Sequence, residues 1–140
     1  MTAGYSGIPL ATKLSLKDGL RTWWENMPDS VRAEIEGEGL ALVHLSAPVG
    51  PIDAAHVFVT GRAALEDAIR RLLPLLDSAG FLWISWPKKA SKVPTDITED
   101  VIRDVALPTG LVDVKVCAVD AIWSGLKLVI RTELRGGARA

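Results

Sequence analysis

The stretch that decides the fold is FLWISWPKKASKVPTD, residues 81–96, which opens as a continuous apolar run and ends in tryptophan, proline and lysines. A strand with one solvated face alternates apolar and polar side chains, whereas a strand covered on both faces is apolar throughout. The run at residues 81–86 therefore predicts a central strand of a parallel sheet. The lysines follow at the point where that strand ends.

Segments of helical period flank this strand on both sides. Thr60 stands where the cap of the first helix is expected, and DSAG at residues 77–80 is expected to end that helix before the strand begins. Asp96 stands where the second helix should begin, and Glu99 three residues later completes a pattern like a capping box. Helices that alternate with short apolar runs predict an α/β layered structure.

The remaining elements are shorter. Strands are expected at residues 20–26, 40–45, 55–60, 111–120 and 123–134, with a short helix at residues 31–37. The last two strands alternate apolar and polar residues around a short connection, which predicts an antiparallel hairpin at one edge of the sheet. The connection at residues 46–53 is too short for a helical crossover, so an irregular route is expected there.

Length and composition indicate one folded domain over residues 1–140. The chain is 49% hydrophobic and 24% charged, with a formal net charge of −1, which gives no general attraction to nucleic acid or to an anionic membrane. No apolar window is long enough for a signal peptide or a membrane span, so a cytoplasmic location is expected. Residues 1–18 and 135–140 are expected to be peripheral.

Several distinctive segments invite comparison with known families. They are GYSGIPLATKL at residues 4–14, FVTGRAALE at 58–66, WPKKAS at 86–91, PTDITEDVIRDVAL at 94–107, GLVDVKVCAVD at 110–120 and WSGLKLV at 123–129. With these segments the chain resembles the bacterial family known as domain of unknown function 3052. Its last third is also similar in layout to class I methyltransferases, whose sheet ends in a reversed strand. These resemblances imply a single three-layer Rossmann-like, methyltransferase-like domain, with a mostly parallel sheet of about six strands and an antiparallel C-terminal strand.

A cofactor on this layout needs glycines where the first strand meets its helix, because a glycine-rich turn lets backbone amides approach the ligand. That junction reads ENMPD at residues 25–29, without GxGxxG or GxGxG, and Pro28 lacks an amide hydrogen. We therefore expect no cofactor, and in particular no binding of S-adenosylmethionine.

The end of the central strand is the candidate ligand-binding site, because ligands of open α/β sheets lie beyond the carboxyl ends of the strands. The candidate residues are Trp86, Lys88, Lys89, Ser91, Lys92, Thr95 and Asp96, with Thr60, Arg62 and Asn26 from neighbouring strand ends. Lysine charges, hydroxyls, free helix amides and a tryptophan face would suit a phosphate or carboxylate. The alternative is structural: the tryptophan packs, the lysines are solvated and Asp96 only caps a helix.

Other chemistries find little support in the sequence. His44 and His56 lie in apolar strands without HExxH spacing, so no metal is expected. Cys117 is the single cysteine and is expected to be a buried, inert thiol. No GxSxG elbow is present, and no catalytic residue can be assigned. These features favour a binding or interaction domain; the alternative is a small enzyme that acts on an anionic substrate.

One pair of lysines raises a separate question. If the final hairpin places Lys115 opposite Lys127, two like charges share one face of the sheet. That arrangement is unfavourable unless an anion, or an acid such as Asp113, lies between them. The alternative is that both lysines extend outward from an edge.

Two adjacent tryptophans bear on partners. Trp23 and Trp24 point to opposite faces if they lie on one strand, so one of them should lie against a helix, a ligand or another subunit. The partners expected are a small anionic ligand and a second copy of the chain or another protein. Nucleic acid and membranes are not expected.

Overall fold

The computed structural model describes residues 7–137, and residues 1–6 and 138–140 lie outside this part. Its strands are β1 (Arg21–Glu25), β2 (Val43–His44), β3 (Ile52–Phe58), β4 (Leu76–Pro87), β5 (Leu111–Ala118) and β6 (Trp123–Ile130). Its helices are α1 (Leu10–Lys13), α2 (Asp29–Glu36), α3 (Arg62–Leu72), α4 (Glu99–Ala106) and α5 (Thr132–Gly137). Within residues 7–137, none of these helices has the length and apolarity that crossing a bilayer would require.

The six strands form one sheet in the order β2-β1-β3-β4-β6-β5. β1 pairs in parallel with β2 and β3, and β3 pairs in parallel with β4. β6 runs antiparallel to both of its neighbours, β4 and β5. The predicted mostly parallel sheet with an antiparallel C-terminal strand is therefore confirmed. Residues 45–51, between β2 and β3, contain no helix, as their composition predicts.

The sheet separates two hydrophobic cores. The first lies between the sheet and the helices α3 and α4, and it includes Leu82 and Ile84 of β4. The second lies on the opposite face, against α1 and α2, and it includes Phe81 and Trp83 of the same strand. The expected three-layer arrangement is confirmed, because consecutive side chains of β4 enter different cores.

The adjacent tryptophans of β1 follow the same alternation. Trp23 packs against the first core and Trp24 against the second. The guanidinium of Arg32, on α2, lies 4.9 Å from the centre of the Trp24 ring, and His44 meets that ring edge-on at 4.8 Å. Trp24 thus lies against a helix, which is one of the three environments expected for it.

The first residues of α3 and α4 differ from the prediction. Thr60 does not cap α3: the N-cap position is Gly61, and the carboxylate of Asp96 accepts the Arg62 amide at 2.9 Å. Asp96 in turn does not begin α4, whose N-cap is Thr98 with its hydroxyl accepting the Val101 amide at 3.2 Å. The capping box of Asp96 with Glu99 was therefore wrong, because Asp96 satisfies the neighbouring helix instead of its own.

Several strand bounds also differ. β3 spans Ile52–Phe58 instead of residues 55–60, and β6 ends at Ile130, so residues 132–134, expected in the last strand, belong to α5. Residues 77–80 do not end the preceding helix but belong to β4, since α3 stops at Leu72 and a 3-10 turn that contains Pro74 follows it. A Cβ on Gly80 would lie 2.8 Å from the carbonyl oxygen of Ile52, so this strand and β3 approach closely there. β2 contains two residues instead of the six expected at residues 40–45. Of these six, only Val43 and His44 pair with β1.

The amino-terminal segment is part of the core and not peripheral, as far as it is described. Leu10, Ala11, Leu14 and Leu16 are buried in the second core. The indole Nε1–H of Trp83 donates to the carbonyl oxygen of Leu14 at 2.9 Å within this core. At the other end of the chain, residues 132–137 form α5, so the tail expected at residues 135–140 is partly helical and otherwise lies outside the described part.

Replacing Trp83 with Phe should destabilise the protein, because it leaves the buried carbonyl of Leu14 without its donor. An unpaired buried acceptor costs about 1–3 kcal/mol. Trp86→Phe is the matched control, since Trp86 is buried in the same strand and its indole has no hydrogen bond among the described residues. Urea unfolding should show a larger loss for Trp83→Phe; equal losses would mean that the bond to Leu14 contributes nothing.

Candidate functional site

A pocket of about 530 Å³ opens at the carboxyl end of β4, beside the start of α4. Its lining residues are Trp86, Pro87, Lys89, Thr95, Ile97, Thr98, Glu99, Asp100 and Arg103. This volume is in the range of small-molecule sites, and its place beyond the end of a strand is the usual one for ligands of open α/β sheets. The pocket contains three of the predicted site residues, namely Trp86, Lys89 and Thr95.

The turn after β4 is held by its own backbone and by one hydroxyl. The Lys88 amide donates to the carbonyl oxygen of Ile122 at 2.7 Å, which ties the strand end to the hairpin before β6. The Ser91 hydroxyl donates to the Lys88 carbonyl at 2.6 Å and accepts the Val93 amide at 3.2 Å. Ser91 therefore shapes this turn, and it does not line the pocket.

The loop before α4 is tied to the start of α3. Thr95 donates its hydroxyl to the carbonyl oxygen of Thr60 at 2.7 Å and accepts the amide of Ile97 at 3.1 Å. Asp96 holds the Arg62 amide, and the Arg62 side chain pairs with Glu66. Three predicted site residues, Thr60, Arg62 and Asp96, thus form the support behind the pocket and are absent from its lining.

The predicted lysines do not converge on one site. Lys89 lines the pocket, whereas Lys88 lies near Cys117 on the other side of the sheet, where burial raises the pKa of that thiol and the charge of Lys88 slightly opposes the rise. Lys92 has a left-handed backbone with φ 62° and an exposed side chain outside the pocket lining. Consecutive residues at a strand end diverge, so the lysine cluster expected from the sequence supplies one lysine to this pocket.

Sequence reasoning missed Arg103 and its carboxylates. The guanidinium of Arg103 bonds to Asp113 and Glu99 at 3.0 Å each and to Asp100 at 3.1 Å. The hydrogen bond that Arg103 donates to Asp113, followed by the one it donates to Glu99, raises the pKa of Arg103. The spacing of Glu99 and Arg103, four residues apart on a helix, is the signal that could have found this network. Because Arg103 already holds three carboxylates, Lys89 is the lining cation without an ion pair among the described residues.

The polar groups where β1 meets α2 are engaged within the protein. Glu25 accepts two bonds from Arg71 at 2.9 Å each and one from the Trp23 indole at 2.8 Å. Arg71, with a smaller effect from Trp23, holds the pKa of Glu25 below its usual value. Asn26 adopts φ 57° and directs its amide to the carbonyl oxygen of Phe58, 3.4 Å away. Asn26 therefore bridges two strand ends far from the pocket lining.

A buried histidine and serine lie close together in the sheet. His56 Nε2 and Ser85 Oγ form a hydrogen bond of 2.7 Å, and burial lowers the pKa of His56 to about 3. The distance suits a nucleophile and its base, but His56 is 3% and Ser85 0% exposed, so no substrate reaches either atom. The pair is a satisfied core contact, as expected for His56, while His44 is exposed at the sheet edge.

Metal and thiol chemistry gain no support from the described residues. Within residues 7–137, no three histidine, cysteine, aspartate or glutamate side chains gather as a metal site would require. Cys117 is a free, buried thiol, and burial raises its pKa. A raised pKa keeps the thiol protonated, which confirms the expectation of a buried, unreactive cysteine.

Comparison with solved structures places this arrangement of strands among methyltransferases. A type 11 methyltransferase from Sulfolobus solfataricus superposes with a TM-score of 0.57 and 14% identity, covering 88% of this chain and 90% of that one. Magnesium protoporphyrin IX methyltransferase from Synechocystis PCC 6803, with bound SAM, gives 0.57 and 12%, covering 87% and 74%. Ribosomal protein L11 methylase from Lactobacillus delbrueckii subsp. bulgaricus gives 0.54 and 11%, covering 87% and 77%. The chain has a methyltransferase-like Rossmann fold. Neither a family model nor a curated protein matches it.

The fold raises the question of S-adenosylmethionine, and the β1–α2 junction does not fit it. The N-cap of α2 is Pro28, which has no amide hydrogen, and Glu25 is already bonded to Arg71 and Trp23. β2 ends in His44, so the carboxylate that holds a ribose hydroxyl on related sheets is not at that strand end. The junction therefore lacks the glycine-rich turn that lets backbone amides approach the cofactor, and its carboxylate is already engaged.

We expect S-adenosylmethionine not to bind appreciably, because the turn at residues 25–29 contains no glycine and Glu25 is already engaged. Isothermal titration of the folded protein should show no saturation below about 1 mM, a threshold that corresponds to about 4 kcal/mol of binding free energy. A dissociation constant in the micromolar range would show this interpretation of the junction to be wrong.

The buried His56 should make the fold sensitive to acid. Its pKa is about 3 in the folded state and 6.5 ordinarily, so the unfolded chain takes up a proton that the folded chain refuses. Stability should therefore be complete above pH 6.5 and should fall by up to about 1.4 kcal/mol per pH unit below it, until about pH 3.

Proton NMR measures this directly: the imidazole of His56 should not titrate between pH 7.5 and 4.5. Urea unfolding between pH 6.5 and 4.5 should show the loss of stability in wild type and in His44→Gln, the control for a surface histidine. A His56 resonance that titrates near pH 6.5 would contradict the prediction.

Proposed function

We propose that this protein is a binding domain on a methyltransferase-like scaffold, and that it holds a small organic anion in the pocket between β4 and α4. The observation that carries the proposal is Lys89, an unpaired cation on the wall of a pocket of about 530 Å³ at a strand end. Trp86, Pro87 and Ile97 supply an apolar surface beside it. A ligand with an apolar body and one carboxylate or phosphate group matches both features.

The charge of the lining limits the ligand. Lys89 and Arg103 bring two positive charges, while Glu99 and Asp100 bring two negative ones. Both carboxylates are bonded to Arg103 at one side of the pocket. The anionic group of the ligand therefore belongs at the Lys89 side, near Thr95, and a ligand of high negative charge would be repelled by the first turn of α4.

The alternative proposal is a small enzyme that acts on such a ligand, and it is supported by the methyltransferases among the structures of similar fold. The lining offers little for it. Glu99 and Asp100 are the lining groups that could serve as a base, and both are bonded to Arg103. The Thr95 hydroxyl is engaged with the Thr60 carbonyl and the Ile97 amide. The binding proposal therefore accounts for more of the contacts.

Membership of the domain of unknown function 3052 family also remains a proposal. Its support is that two of the segments carrying the resemblance, residues 86–91 and 123–129, meet in the sheet, where Trp86 lies opposite Ser124 and Pro87 opposite Trp123. These segments thus surround the end of β4. A shared function of the family would be expected to use this region.

Replacing Lys89 with Met should weaken binding of phenyl phosphate about tenfold, because a charge-assisted contact contributes about 1.5 kcal/mol. Phenyl phosphate carries an apolar ring and one anionic group, and phenol and inorganic phosphate test each part alone. Titration followed by amide NMR shifts should place the change at Lys89, Thr95 and Ile97.

Lys92→Met is the matched control, since it removes an equal charge three residues away from a side chain outside the lining. It should bind phenyl phosphate as wild type does, with chloride used to match ionic strength. Equal affinity of Lys89→Met and Lys92→Met, or shifts that avoid the pocket, would refute the proposed site.

A further inference from the structure

Five lysines gather on the face of the sheet opposite the pocket, and we name them the lysine face. They are Lys13, Lys17, Lys88, Lys115 and Lys127. Lys115 on β5 pairs directly with Lys127 on β6. Directly opposite residues have Cβ atoms about 4.5–5.5 Å apart, so the two side chains leave the sheet side by side, and the charge of Lys115 acts on Lys127. The pairing of these two lysines, which the sequence left open, is present in the hairpin.

The acid expected between these lysines is on the other side of the sheet. β5 contains an irregularity between Asp113 and Lys115, at Val114. A bulge of one residue reverses the face to which the following side chains point. Asp113 accordingly bonds to Arg103 of α4 at 3.0 Å, in the layer that contains the pocket. It does not balance Lys115 and Lys127.

The lysines instead contact neutral oxygen atoms of the amino-terminal segment and of β5. Lys115 Nζ donates to the carbonyl oxygen of Lys13 at 2.8 Å, and Lys127 Nζ donates to the hydroxyl of Ser15 at 3.0 Å. Lys13 Nζ donates to the carbonyl oxygen of Ala118 at 3.0 Å. Both strand lysines are thus held in place and do not simply extend outward, which was the alternative expected for them.

The contacts of Lys115 and Lys127 fix the positions of these side chains without balancing their charges. Within the described residues, no ion pair includes Lys17, Lys88, Lys115 or Lys127. The neighbouring carboxylates bind backbone amides: Asp120 those of Ile122 and Trp123, and Glu38 that of Ala11.

The lysine charges repel one another, and this repulsion lowers the stability of the folded protein. Lys127 is half-buried above the ring of Phe81, 4.6 Å from its centre. Its pKa is lowered, first by burial and then by Lys115 and Lys17. A neutral donor could hold Ser15 equally well without this repulsion. The charges are therefore explained better by a ligand than by the anchoring of the amino-terminal segment alone.

We infer that the lysine face binds a compact, multivalent anion of the phosphate class, held between Lys115, Lys127 and Lys17. Compactness follows from the direct opposition of Lys115 and Lys127 in the sheet. Multivalency follows because Lys17, Lys115 and Lys127 lie near one another and, within residues 7–137, none of them is in an ion pair. This site lies on the opposite face from the proposed pocket, and it does not depend on the function proposed there.

The test uses pyrophosphate, followed by amide NMR shifts and by thermal unfolding, with chloride at matched ionic strength. Wild type should bind pyrophosphate with shifts at Ser15, Lys115 and Lys127, and the ligand should raise its melting temperature. Lys115→Met should bind about tenfold more weakly and lose that rise. Because Lys115 is exposed and Met keeps the apolar stem, the variant should fold.

Lys92→Met is again the charge-matched control and should respond to pyrophosphate as wild type does. Lys127→Met provides a second variant, also expected to lose about tenfold in affinity. A pyrophosphate response that is the same in wild type, Lys115→Met and Lys92→Met, or that is absent from wild type, would overturn the inference. Shifts at Lys89 and Thr95 alone would overturn it too, while they would support the pocket.

Discussion

The burial of β4 on both faces and along both edges is the constraint on which the structure depends. The run from Phe81 to Trp86 sends Leu82 and Ile84 into one core and Phe81 and Trp83 into the other. Its backbone pairs with β3 on one side and with β6 on the other. A strand without a polar face cannot be stable until helices cover both sides. The layers of α3 with α4 and of α1 with α2 are the consequence.

The end of this strand then distributes charge between the two layers. Within the part of β4 that pairs with β3 and β6, successive side chains alternate between the two cores. Where it leaves the sheet, Lys89 joins the wall beside α4, whereas Lys88 lies near Cys117 on the other side. The same division separates Asp113 from Lys115 on β5, through a bulge. The fold thereby creates a nearly neutral pocket on one side and an unbalanced positive surface on the other.

The sequence predicts what local patterns determine. Apolar continuity identified β4, and strand alternation identified the hairpin, because both are local patterns. The register that sets Lys115 opposite Lys127 did not follow from them. Helix caps escaped prediction because Asp96 and Thr98 are both good caps and stand two residues apart. Asp96 binds the Arg62 amide, 34 positions away in the chain. No pattern in a single segment encodes such a contact, nor the bulge that turns Asp113 toward Arg103.

The methyltransferase-like fold indicates where a ligand can lie. It does not indicate which ligand binds there. Three helix N-termini face the ligand edge of this sheet, those of α2, α3 and α4, and none presents a simple anion site. At the start of α3, the carboxylate of Asp96 already accepts the Arg62 amide. α2 begins after Pro28, which has no amide hydrogen. α4 begins with Glu99 and Asp100, whose carboxylates already occupy the favourable field of its first turn. On the binding proposal the anion is therefore held by a side chain, and Lys89 is the lining cation without an ion pair within residues 7–137.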